Sequence, residues 1–122
     1  WTDYAASFWI RPQTGKQHYC GIRIQGGVRG YFAGFSDGDF VLIKNKRDAM
    51  EKLSSFPFTA INGKEYQVRM TAIGNCIRAE LDGIILEIMD RENPYLTGSV
   101  GLAVRNGSHI SCSRIRIDRA DS

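Results

Sequence analysis

The sequence predicts an all-β fold, an antiparallel β-sandwich of about nine short strands. Three observations carry that prediction. Gly, Asn, Asp or Pro interrupts the chain about every eight to twelve residues, the cadence of a sandwich. Between the breaks, apolar residues alternate with polar ones, the period of a pleated strand with one face turned inward. Asn62-Gly63, Gly74-Asn75 and Asp82-Gly83 supply the positive φ that tight hairpins need.

The first strand runs from Tyr4 to Arg11, with Tyr4, Ala6, Phe8 and Ile10 on one side, and stops at Pro12. His18 to Ile24 follows, with Cys20, Ile22 and Ile24 inward and Tyr19, Gly21 and Arg23 opposite. Gly30 to Phe35 is rich in aromatics, and Ser36-Asp37-Gly38 turns it into Phe40 to Lys44. These four segments read as consecutive antiparallel strands of one sheet. Asn45 to Ser55 is polar with sparse apolar positions, and reads as a long loop. Glu65 to Ile73, Cys76 to Leu81 and Ile84 to Met89 then form a meander. Asn93-Pro94 marks a loop, Ser99 to Val104 is a strand, and Asn106-Gly107-Ser108 turns the chain once more.

The last strand, His109 to Asp118, slips in phase. Ile110 and Cys112 share one parity and Ile115 and Ile117 the other. One extra residue between 112 and 115 returns both pairs to the same face, which is what a β-bulge does.

The 122 residues suit one domain, 1–122, and the opening Trp1-Thr2-Asp3-Tyr4 reads as the start of a piece excised from a larger protein. Lys and Arg are scattered among acids at a net charge of +3, so no nucleic-acid stripe is expected. No apolar run is long enough for a membrane helix, and no address can be read from the N-terminus. Cys20, Cys76 and Cys112 are widely and irregularly spaced and read as free thiols rather than zinc ligands.

The order of motifs resembles the concanavalin A-like lectin/glucanase superfamily. The likeness rests on Trp1-Thr2-Asp3-Tyr4, Gly21-Ile22-Arg23, Tyr31, Leu42-Ile43-Lys44 and Gly63-Lys64-Glu65-Tyr66-Gln67-Val68. It continues through Asn75-Cys76-Ile77, Asp82-Gly83, Asp90 and Gly98-Ser99-Val100-Gly101-Leu102. The chain is similar to compact modules appended to glycoside hydrolases and to ADP-ribosylglycohydrolase-type enzymes. The resemblance implies a jelly roll acting as a carbohydrate-binding or accessory module. Two departures stand out: Cys112-Ser113 replaces the family's aromatic-Asp pair, and the family's further N-terminal strands have no counterpart here.

Catalysis finds no support in the residues. A glucanase needs two carboxylates at fixed separation. Asp37, Asp39 and Asp82 sit at turns, where Asp is favoured anyway, and Glu80 points outward from its strand. His18 and Cys20 share a strand face with Ile22, so a core cysteine is expected. Gly26-Gly27-Val28-Arg29-Gly30 precedes no helix and reads as a hairpin loop, not a phosphate cradle. No cofactor is expected; for a structural calcium, Asp37, Asp39 and Asp90 are the candidate donors. Trp1 reads as an edge core residue and His109 as a loop-edge residue.

Were the first four strands neighbours, their outward residues would form a strip: Ser7, Trp9, Arg11, Tyr19, Arg23, Phe32, Val41 and Ile43. Trp9, Tyr19 and Phe32 would stack on a sugar ring, with Arg11 and Arg23 clamping hydroxyls or an anion. An ADP-ribose-like ligand would add Arg29. The alternative is that the strip docks on a parent catalytic domain and takes no small ligand.

Overall fold

The computed structural model describes residues 2–26, 29–47, 49–104 and 107–119. Trp1, Gly27 and Val28 of the glycine-rich loop, and Asn106 of the last turn lie outside the described residues.

Ten strands form two five-stranded antiparallel sheets. They are β1 (Tyr4–Thr14), β2 (Gln17–Gln25), β3 (Arg29–Ser36), β4 (Asp39–Asn45), β5 (Met50–Pro57), β6 (Tyr66–Ile73), β7 (Cys76–Leu81), β8 (Ile84–Met89), β9 (Ser99–Val104) and β10 (His109–Arg119). The first sheet has the order β10-β1-β6-β7-β8 and the second β5-β4-β3-β2-β9. Between them lies a core that includes Phe8, Ile10, Ile22, Tyr31, Phe40, Leu42, Val68 and Ile77, each fully or almost fully buried.

The hairpins β3–β4 and β7–β8 turn as the sequence predicts. Asp37 and Gly38 have φ of 48° and 91°, and Asp82 and Gly83 47° and 82°, the two successive left-handed residues of a tight turn. The slip in β10 is also where its periodicity places it. Trp9 pairs with Arg114 and Ile10 with Cys112, so Ser113 is the extra residue of a bulge.

Two expectations are overturned. The segment read as a loop contains β5, an edge strand on β4. Its register shifts between Leu42 and Ile43 of β4, leaving Leu53 as an extra residue. That bulge breaks the two-residue period, and much of the strand is exposed, so the apolar signal is lost. The second correction concerns β1 and β2, which do not form a hairpin. They lie in different sheets, joined by an arch at Gly15-Lys16.

A bulge in β2 decides how one end of the sandwich closes. Ile22 pairs with Tyr31 but Gln25 with Arg29, so β2 carries one extra residue between them. Arg23 there has φ of 49° and turns its side chain inward, where it is wholly buried. Its guanidinium donates to the carbonyls of Thr2 (2.8 and 3.1 Å), Gly74 and Tyr95 (3.1 Å), and pairs with Asp3 at 3.1 Å. Its amide donates to the Tyr4 hydroxyl at 2.7 Å. Gly98 passes so close that a Cβ there would lie 2.4 Å from the Arg23 carbonyl carbon.

A second polar knot lies at the same end. Asp90 accepts from Lys44 and Tyr31, each at 2.6 Å, and from the Glu92 amide at 3.0 Å. Lys44 also reaches the Glu92 carbonyl at 2.5 Å. Burial pushes the Asp90 carboxyl up, but hydrogen bonds from Lys44, Tyr31 and Glu92 outweigh it and leave its pKa below the ordinary value. Burial and the hydrogen bond to Asp90 raise the Tyr31 phenol.

Arg23→Met would strand the carbonyls that the guanidinium satisfies, and is expected to cost about 3 kcal/mol, read as a lower urea midpoint. Because the Asp90 pKa falls on folding, its stabilising effect is present above the unfolded value and lost as pH falls through the folded one. Asp90→Asn should therefore lower stability at neutral pH by about 3 kcal/mol or more. It should also flatten the decline that sets in below about pH 5 in urea melts.

Candidate functional site

The arch between β1 and β2 separates the residues expected to form one strip. Trp9 and Arg11 lie on the outer face of the first sheet, Tyr19 and Phe32 on that of the second. Arg23 is on neither; the bulge has taken it inside. Arg29 is exposed, at the end of the sandwich where β2 meets β3.

Tyr19 and Phe32 are 3% and 7% exposed, too little for a stacking platform. They pack with Val41, Ile43 and the partly buried Ile24, Met50 and Ala103 into a second apolar cluster outside the sheet. Gly21 makes room: a Cβ there would fall 2.5 Å from a ring atom of Phe32. Ile24, expected inward, joins this outer cluster because the bulge at Arg23 reverses its phase. On the first sheet, Trp9 is half-buried with the Arg114 guanidinium 4.9 Å from its ring centre, and Arg11 donates to the Gly63 carbonyl at 2.8 Å.

A concavity lies at the end of the sandwich opposite Arg23. Three loops enclose a cleft of about 450 Å³: the β1–β2 arch, the β3–β4 hairpin and the connection from β5 to β6. Lys16, Asp37, Thr59 and Asn62 bring polar groups to it, and His18 and Phe35 line its inner side. The loops are tied to one another. The Asp37 amide donates to the Lys16 carbonyl at 3.1 Å, Phe58 to Gly38 at 3.0 Å, and Gly63 to Pro12 at 2.7 Å. Gln17 fixes the Asp37 carboxylate at 3.0 Å. Behind them Phe35 stacks on Phe58 at 5.8 Å and meets Tyr66 at 5.0 Å, so the loops rest on a rigid aromatic base.

His18 is 1% exposed. Its Nε2 lies 2.7 Å from the Thr14 carbonyl, which fixes the proton on that nitrogen. Nδ1 is left as a buried acceptor with no hydrogen-bond partner within the described residues.

The candidate calcium donors do not converge. Asp37 and Asp39 flank the cleft-side hairpin, whereas Asp90 is held by Lys44 and Tyr31 at the other end. Among the described residues no three His, Cys, Asp or Glu side chains group as a metal site. Asp37 and Asp82 occupy left-handed turn positions, and Glu80 pairs with Arg78 on the outer face at 3.2 Å. The three cysteines are free, and burial raises the Cys20 thiol far above its ordinary value.

No family model and no curated protein sequence matches the chain. Solved structures do. A carbohydrate-binding module, CBM66, from Bacillus subtilis superimposes with a TM-score of 0.85 over 97% of this chain and 76% of its own, at 16% identity. The fold is the concanavalin A-like jelly roll. Sheep galectin-11 matches with a TM-score of 0.65 and 15% identity, over 96% of this chain and 90% of that one. A GH43 protein from Bacillus licheniformis matches with a TM-score of 0.63 and 10% identity, this chain covering 98% of itself and 28% of that protein. At identities of 10 to 16% the likeness speaks for the scaffold and not for any residue of the cleft.

Sequence reading missed the cleft because its polar residues sit at loop positions where turns favour the same types. Of its lining residues, Asp37 reads as a turn acid and candidate calcium donor, and His18 as a neighbour of a core cysteine. The burial of Phe32 gives a direct check: Phe32→Ala should cost about 3 kcal/mol or more, seen as a lower thermal midpoint.

Proposed function

We propose that this chain is a non-catalytic carbohydrate-binding module that holds the end of a glycan in the cleft beside Asp37. The observation that carries the reading is the cleft itself. Its size suits one or two sugar rings, and it offers a carboxylate, an ammonium, a hydroxyl and an amide on loops already fastened together. Sugar hydroxyls both donate and accept, so a mixed set of this kind satisfies them better than a uniformly charged one. Likeness to a carbohydrate-binding module and to galectins supports the same class of ligand.

A neutral sugar fits better than an ADP-ribose-like ligand. A pyrophosphate asks for clustered bidentate arginines, and the cation lining the cleft is Lys16. The placement of the acids supports the non-catalytic reading: Asp37 and Asp39 belong to one tight hairpin, and Glu80 is ion-paired outside.

Docking on a parent catalytic domain is the second reading, and one observation favours it. Leu102 and Val104 on β9, with Ile115 and Ile117 on β10, are 37 to 42% exposed along one open side of the sandwich. Such a seam suits a protein neighbour.

Titration calorimetry against mono- and oligosaccharides tests the first reading. Saturable binding is expected, weakened about tenfold or more by Asp37→Ala and by Asn62→Ala. A folded, monodisperse protein that binds no sugar would favour docking instead.

A further inference from the structure

The outer face of the first sheet bears a second feature, independent of the cleft. We propose that the strands β10, β1 and β6 bind a single chain of an acidic polysaccharide across this face.

Cross-strand pairing sets the geometry. Trp9 lies between Arg114 and Gln67, and Ser7 between Arg116 and Arg69. These two rungs are about 7 Å apart along the strands, and neighbouring strands about 5 Å apart. Arg11 follows Trp9 on the same face of β1. Four arginines thus surround one half-buried indole on a rigid sheet. The carboxylates near them are Asp118, paired with Arg69 and Arg116 at 3.5 and 3.1 Å, Glu65, bound by Ser113 at 2.6 Å, and Glu80, opposite Arg69 across the ladder and engaged by Arg78 at 3.2 Å.

Two of the arginines are not neutralised. Among the described residues neither Arg11 nor Arg114 has an ion-pair partner; Arg11 donates to a carbonyl and Arg114 lies over Trp9. A guanidinium presents two parallel N–H groups, which match a carboxylate or sulfate. Trp9 offers an apolar edge beside them for sugar C–H groups.

The rest of the face selects for a narrow ligand. On β7 and β8, Arg78 is engaged by Glu80 and Glu87, whose carboxylates point to the same side. A duplex or a membrane laid on the sheet would meet these acids, whereas a thin anionic chain along β1 avoids them. The net charge of +3, unremarkable as a total, is therefore unevenly placed.

The test titrates heparin and polygalacturonate as anionic probes, dextran as the neutral one, and a duplex oligonucleotide, at about 20 and about 300 mM salt. Expected is saturable binding of at least one anionic polysaccharide, weakened by salt, with dextran inactive at this face. Arg114→Glu with Arg116→Glu should reduce affinity about tenfold or more. Lys52→Glu with Arg91→Glu, two exposed residues elsewhere, makes the same change in net charge and should leave affinity within about twofold. Should the first pair fail to fold, Arg114→Gln with Arg116→Gln takes its place. Equal loss in the control pair would reduce the effect to overall charge and overturn the proposal. So would no binding to either anionic probe at low salt, or tighter binding of the oligonucleotide.

Discussion

Arg23 sits where four separate stretches of chain meet, and its position organises the sandwich. The guanidinium reaches backbone carbonyls at residues 2, 74 and 95, while the amide of the same residue holds Tyr4. A charge buried this deeply is tolerable only when its donors are satisfied, and here backbone carbonyls do most of that. The bulge that turns Arg23 inward also turns Ile24 outward, so one local irregularity shapes both the closed end of the core and the apolar cluster outside the second sheet. The Lys44–Asp90–Tyr31 group closes the same end. With polar side chains committed there to structure, the opposite end is where loops are free to carry recognition.

What the sequence reveals follows from which signals are local. The Ser113 bulge was legible because Ile110, Cys112, Ile115 and Ile117 record a slip of one residue. The hairpin at Asp82-Gly83 was legible because few residues tolerate two left-handed positions in succession. β5 was not, because an edge strand with its own bulge at Leu53 keeps no period. The first four segments read as consecutive strands of one sheet because nothing in the Gly15-Lys16 turn says whether the next strand stays in it. Arg23 was misplaced for a related reason: alternation assigns a face only while it is unbroken. The cleft was least legible of all, being assembled from loops that are distant in sequence and ordinary in composition.

The two outer faces illustrate how similar residues come to differ in role. Tyr19 and Phe32 face outward, yet Gly21 opposite Phe32 leaves room for its ring, and both side chains are buried in one apolar cluster. Trp9 has an arginine as its neighbour instead, and remains half open. An outward aromatic is thus part of a core or part of a surface according to the size of the residue next to it across the ladder.

Pairing of Tyr4 with Arg119 has a consequence for mounting. The first and last strands lie side by side, and residues 4 and 119 emerge together at the Arg23 pole, while the cleft opens at the other. Any polypeptide joined at either end would leave from that one pole. A tether there holds the molecule by its base, with the loops about Asp37 directed outward and free to sweep a surface within the tether's reach.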